Sequence, residues 1–170
     1  MKILPVKIYG EDVLRQTAGD VENIDGKLID FADSLIRTLK YSNALGLAAN
    51  QVGLAKRIYA VDMSYFDVVK PPIVIINPVV RELSGSAKAE EGCLSFPGLY
   101  LEIERPEKAV VTGLDRDGKE MIIEGTGLMA RVLLHELDHL NGKLFIDHLS
   151  SLQRGLLKGK LKRIMSGERV

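Results

Sequence analysis

KAVVTGLDRDGKEMIIEGTGLMARVLLHELDHLNG, Lys108–Gly142, decides the architecture. Two apolar runs flank Asp117-Gly118, a dipeptide that favours a hairpin turn, so residues 108–125 read as paired antiparallel strands. A helix follows from about Leu128 to Leu140, and Gly142 is placed to end it. Working outward, residues 26–43 read as a first long helix, with Asp25 as N-cap and Leu28, Phe31, Leu35, Ile36 and Leu39 at helical spacing. The small residues of ALGLAANQVG, Ala44–Gly53, let backbone approach closely. RIYAVDM (57–63) and IVIINPVV (73–80) are rich in β-branched residues and read as strands, interrupted at Pro71-Pro72 and Asn77-Pro78. Residues 99–104 alternate in polarity, as a half-buried strand does. A C-terminal helix over about 150–166 carries Leu152, Leu156, Leu157, Leu161, Ile164 and Met165 on one stripe. Its other face is basic, with Arg154, Lys158, Lys160, Lys162 and Arg163. No regular βαβ alternation occurs. The expectation is α+β, with mainly antiparallel sheets packed around the helix of residues 128–140, in one domain spanning 1–170.

That helix carries two of the chain's three histidines. His135 and His139 lie four residues apart and project from one face, one turn above the other, where a single metal ion can reach both. Glu136 sits beside the first, as a general base for a metal-bound water would need to. The flanking positions Val132, Leu133, Leu134, Leu137 and Leu140 are apolar, a costly setting for two histidines and two acids without a metal or partner. A catalytic metal commonly takes three protein ligands and keeps a fourth position for water. The only cysteine, Cys93, lies upstream in EGCLS (Glu91–Ser95) and is the candidate third ligand. Taken alone, it reads as buried filler. His148, in a polar connection, reads as structural, with a fourth ligand as its alternative.

Composition narrows the rest. The chain has 170 residues, is 46% hydrophobic and 27% charged, and carries 23 basic and 23 acidic side chains. Those values fit an ordinary globular domain with no electrostatic preference for DNA or an anionic membrane. No apolar run approaches the ~20 residues that span a bilayer. MKILPVKIYG reads poorly as a secretory signal, and a lone cysteine fits a reducing cytoplasm.

GLAANQ (Gly46–Gln51), EGCLS and HELDHLNG (His135–Gly142), in that order, resemble the three signature motifs of peptide deformylase. The intervening DRDGK hairpin and the later GKLFIDHLS are similar to that family too. The resemblance implies hydrolytic removal of the formyl group from the N-terminal methionine of newly made proteins, releasing formate. It implies one divalent metal, natively Fe²⁺ in many members, with Zn²⁺, Ni²⁺ or Co²⁺ able to replace it. The implied ligands are Cys93, His135 and His139. Metal-bound hydroxide would attack the formyl carbon, with Glu136 as general acid/base and with Gln51 and the Leu94 N–H as oxyanion donors. The resemblance further implies an extended substrate lying against Leu45–Gly46 and Phe96–Gly98. Its methionine side chain would fill a pocket that includes Leu45, Leu128 and Val132. Glu91 and Arg105 are implied as a pair supporting His135, with a solvated surface pair as the alternative. The implied partner is the N-formylmethionyl nascent peptide. The basic C-terminal face reads as solvated, with ribosomal RNA as its alternative.

The chain departs from the family pattern at several places. Ala44 and Asn50 stand where glycine and proline are usual, and Ala44 demands a less permissive backbone. Leu134 stands where glutamine is frequent, and Tyr100 where many relatives carry arginine. Arg131, four residues before His135, falls on the ligand-bearing face. Its stem is expected to line the pocket with the guanidinium reaching solvent, or else to narrow the side-chain preference. Two other readings of the histidine pair stay open. A zinc metallopeptidase would normally take its third ligand downstream, and a non-catalytic metal module would need a fourth protein ligand.

Overall fold

The computed structural model describes residues 2–170. Met1, the first residue of MKILPVKIYG, lies outside them. In chain order the elements are α1 (Gly26–Tyr41), β1 (Gly46–Ala48), β2 (Ile58–Val61), β3 (Ile73–Ser84), β4 (Ala87–Gly92), β5 (Tyr100–Arg105), β6 (Lys108–Leu114), β7 (Glu120–Thr126), α2 (Leu128–Leu140), α3 (Ser151–Leu156) and α4 (Lys158–Met165). Short 3₁₀ turns join several of them. Five strands form an antiparallel sheet in the order β1-β2-β3-β6-β7, and β4 pairs with β5 in a separate hairpin. The fold is α+β.

The period of two along a strand explains how both helices are held. Ile58, Ala60, Val74 and Ile76 point to one face of the sheet and pack with Ala32, Leu35 and Leu39 of α1. Tyr59, Val61, Ile75, Val111 and Ile123 point to the other face and pack with Leu133, Leu137 and Leu140 of α2. At ~1.5–3 kcal/mol per fully buried leucine, these contacts fix α2 against the sheet far more strongly than helix propensity does. Gly125 on β7 permits the close approach: a Cβ there would lie 2.8 Å from Met129 Cγ and 2.9 Å from the Ala130 nitrogen. A third cluster, with Phe96, Leu99, Ile103, Phe145, Leu161 and Ile164, joins the β4–β5 hairpin to α4.

Local chemistry sets the boundaries. The Asp25 carboxylate accepts from the Leu28 N–H at 2.9 Å and starts α1. Gly142, at φ +68, ends α2 beside Arg15, whose carbonyl oxygen would lie 2.5 Å from any Cβ. Two expectations need correction. Strand β3 does not stop at Asn77-Pro78; the ladder shifts register there, with Asn77 at φ 50, and continues to Ser84. The hairpin forms across Asp117-Gly118 as expected, and in its loop of residues 115–119 the Asp115 side chain accepts from the Asp117 and Lys119 N–H. The C-terminal stripe is not one helix. Gly155 and Gly159 flank the break at Leu157, and each weakens a helix by about 1 kcal/mol relative to alanine. Leu161 and Ile164 are buried, while Leu152, Leu156 and Met165 are exposed. Among the described residues no helix is long and apolar enough to cross a membrane.

Candidate active site

α2 is buried along nearly its whole length, polar residues included. Cys93 follows directly after β4 and meets the histidine face of that helix. One ligand atom from each of Cys93, His135 and His139 lies within 4.8 Å of the others. Cys93 Sγ is 3.3 Å from His139 Nε2, and the imidazole centroids are 5.0 Å apart. A thiol and two imidazoles this close, with burial pushing His139 well below its usual pKa, form a donor set suited to a divalent metal. Among the described residues, the buried His139 Nδ1 has no hydrogen-bond partner.

Behind His135 lies Glu91, whose oxygens accept from four directions. Oε2 accepts from His135 Nδ1 at 2.9 Å and from Arg105 Nη2 at 3.1 Å. Oε1 accepts from Arg105 Nε at 2.5 Å and from Arg131 Nη1 at 2.6 Å. Burial works to raise the Glu91 pKa, but the His135 and Arg105 hydrogen bonds outweigh it and hold the carboxyl down at about 2. An ionised Glu91 keeps the proton on His135 Nδ1 and leaves Nε2 free as the ligating nitrogen. Glu91 and Arg105 are therefore buried rather than a solvated pair.

Arg131 differs from expectation. Its guanidinium does not reach solvent: besides Glu91 it donates to the carbonyl oxygens of Ile103 at 2.9 Å and Ala87 at 2.9 Å. The side chain ties α2 to the β4–β5 hairpin. Asp138 extends the network, accepting from Arg105 Nη1 at 2.8 Å and lying 2.7 Å from His148 Nε2. His148 thus sits outside the metal-ligand cluster. Asp138 escaped sequence reasoning, and Arg131 was placed on the right helical face without its partners, because Arg105, Ala87 and Ile103 are distant in the chain.

Glu136 projects towards Gly46. A Cβ at Gly46 would lie 2.3 Å from Glu136 Oε1, so only glycine permits this approach of β1 to α2. Burial pushes the Glu136 carboxyl up to about 7, and its Oε2 has no partner. The Tyr59 hydroxyl, buried and also without a partner, interacts electrostatically with Glu136. Gln51 is oriented from both ends. Its Oε1 accepts from the Ala48 N–H at 2.8 Å, which turns Nε2 towards Cys93 Sγ and Ser95 Oγ, each at 3.4 Å. Buried Ser95 closes the EGCLS motif but had no role assigned from the sequence. Ala44 meets no backbone difficulty, since the positive φ at this bend belongs to Asn43, and Asn50 Nδ2 donates to the carbonyls of Val13 and Gln16.

These groups open onto a cavity of about 580 Å³. Gln51, Cys93, Leu94, His135 and Glu136 line it, and so do Leu45, Gly46, Phe96, Gly98, Leu128, Arg131 and Val132. β1 is the edge strand of the large sheet, with its free side available for pairing.

The polypeptide deformylase family model matches residues 3–155. The chain belongs to this family. A peptide deformylase from Thermodesulfovibrio yellowstonii is 46% identical over 162 residues, covering 95% of this chain and 98% of the relative. One from Alkalilimnicola ehrlichii is 39% identical over 170 residues, covering 100% and 95%. Among solved structures, the peptide deformylase of Legionella pneumophila superposes with a TM-score of 0.88 at 40% identity, covering 98% of this chain and 99% of that one. The Ehrlichia chaffeensis enzyme in complex with actinonin gives 0.89 at 34% identity, covering 100% of both. The family is one of metal-dependent hydrolases, and in this chain the Cys93, His135 and His139 cluster offers the metal site.

Proposed function

We propose that this chain removes the formyl group from N-formylmethionyl nascent peptides in the cytoplasm, with Cys93, His135 and His139 holding one divalent ion, natively Fe²⁺, that Zn²⁺, Ni²⁺ or Co²⁺ can replace. The observation that carries this reading is that Cys93, His135, the Glu136 carboxylate and the Gln51 amide line one cavity beside the edge strand of the large sheet, with His139 completing the cluster. When bound, the ion supplies Lewis acidity, which makes water nucleophilic near neutrality. Glu136 takes the water proton on a carboxylate oxygen and delivers it to the leaving amine as the C–N bond breaks, giving formate and a free N-terminus. Gln51 Nε2, now held only by two long contacts, turns its N–H groups to the developing oxyanion together with the Leu94 N–H. The peptide pairs with the β1 edge near Leu45–Gly46 and with Phe96–Gly98 opposite, and the methionine side chain enters between Leu45, Leu128 and Val132.

Formate release from formyl-Met-Ala-Ser by the metal-loaded protein tests the reading. Formate with every peptide bond intact supports it, and cleavage of an unblocked peptide would favour a metallopeptidase. Gln51→Leu should lower turnover ~10²–10³-fold with metal content unchanged; near-normal turnover would remove Gln51 from the mechanism. Docking on ribosomal RNA through the exposed Lys158, Lys160 and Lys162 is a further part of the proposal. Unchanged ribosome co-sedimentation after reversing those three charges would end it.

A further inference from the structure

Gly98 sits at φ +84, and a Cβ there would lie 2.0 Å from the Val170 carbonyl oxygen and 2.9 Å from Arg169 Cγ. The segment that follows α4 therefore rests directly on the turn after Cys93. The Val170 N–H donates to the Pro97 carbonyl oxygen at 3.1 Å, and its side chain packs half-buried against the cluster containing Phe96 and Leu99. Held this way, Arg169 is exposed and lines the cavity beside Pro97, Gly98 and Tyr100. The cavity's other guanidinium, Arg131, is buried against Glu91. Among the described residues, Arg169 and Glu90 are the exposed charges of the rim. Arg169 also lies beyond residue 155, where the match to the family model ends.

We propose that Arg169 is a specificity-determining residue: it presents a guanidinium to the peptide downstream of the formyl-methionine and favours an acidic side chain there. The inference rests on the deformylase reading above. An exposed pair of this kind is weak, so the preference is modest, about 2- to 5-fold, and screened by salt. Because the contact forms alike in the bound ground state and the transition state, it acts through KM rather than kcat.

The test compares kcat/KM for formyl-Met-Ala-Ser, formyl-Met-Ala-Asp and formyl-Met-Asp-Ser in the metal-loaded protein and in Arg169→Ala and Arg169→Glu. Glu90 is common to all three proteins, so its effect cancels in the comparison. The acidic-to-neutral ratio should fall about 2- to 5-fold in Arg169→Ala and further in Arg169→Glu, through KM, with the wild-type ratio shrinking at about 1 M salt. An unchanged ratio for both acidic peptides overturns the proposal. So does a loss of kcat shared equally by all peptides, which would mark Arg169 as merely structural. Absence of formate from every peptide with the wild-type protein would instead overturn the deformylase reading, and this inference with it.

Discussion

Replacing Glu91 by glutamine keeps the shape of the side chain and removes one charge, and the structure states what that change must cost. Each carboxylate oxygen faces two donors: Oε1 meets Arg105 and Arg131, and Oε2 meets Arg105 and His135. Placed at Oε1, the amide NH₂ confronts two guanidinium N–H donors; placed at Oε2, it confronts one and makes His135 accept through Nδ1, which moves the imidazole proton onto the ligating Nε2. Of the two buried arginines, only Arg105 then keeps an anion in contact, Asp138. Removing one partner from a buried ion pair typically costs ~3–5 kcal/mol, because the other charge stays buried. For a chain of this length, 1 kcal/mol shifts the melting temperature by roughly 2–4 °C, so Glu91→Gln should melt about 6–20 °C lower. Calorimetry on chelator-treated protein is the assay, since bound metal would add its own stabilisation. The second half of the test is Arg131→Met, alone and combined with Glu91→Gln. The double variant should lose less than the sum of the singles, because it leaves one uncompensated cation fewer. A fall under about 3 °C in Glu91→Gln, or strict additivity in the double variant, would refute the account of Glu91 as the anion that neutralises this site.

Two further outcomes follow from contacts elsewhere. Gly46→Ala places a methyl 2.3 Å from Glu136 Oε1 and must displace that carboxylate, so formate release should fall ~10²-fold or more while metal analysis still finds the ion; activity within a few-fold of wild type would deny Glu136 its place beside β1. At Asp147, partial burial works to raise the pKa, but the Arg15 and Leu144 N–H hydrogen bonds outweigh it and hold the carboxyl below its usual value. A depressed folded-state pKa contributes stability above the unfolded value of ~3.9 and loses it as pH falls through the folded value. The melting-temperature gap between wild type and Asp147→Asn should therefore be present at about pH 7 and narrow as pH falls below the unfolded value of ~3.9; a gap independent of pH would contradict the linkage.

How much was legible in the sequence depended on the range of the interaction. α2 was readable because helical period, an end-placed glycine and the four-residue spacing of His135 and His139 are all local. The two faces of β2 and β3 were implicit in alternating β-branched residues. Asn77-Pro78 misled because proline removes a donor but a register shift absorbs the loss, and nothing local signals that remedy. The C-terminal stripe misled because amphipathic spacing was weighed above two glycines, which break the helix at Leu157. Arg131 was misplaced for a different reason. Its helical position was right, but the carbonyls of Ala87 and Ile103 that hold it lie across the fold.

The same long-range contacts explain how a polar site survives inside an apolar helix packing. A helix buried on nearly all sides has no solvent with which to satisfy Glu136, His135 and His139, so each must find protein or metal partners. The β4–β5 hairpin supplies them for the histidines: Glu91 from β4, itself held by Arg105 from β5, meets His135, and Cys93 just beyond β4 meets His139. The backbone of that hairpin also takes up the Arg131 guanidinium, which neutralises the charge Glu91 introduces. Hairpin and helix are thus mutually required, the one desolvating the other's charges and supplying their counterions. That dependence predicts where variation is tolerated. Changes within the Glu91, Arg105, Arg131 and Asp138 network leave a buried charge uncompensated, whereas the exposed rim, with Tyr100 and Arg169, can change which peptides bind without disturbing the chemistry below.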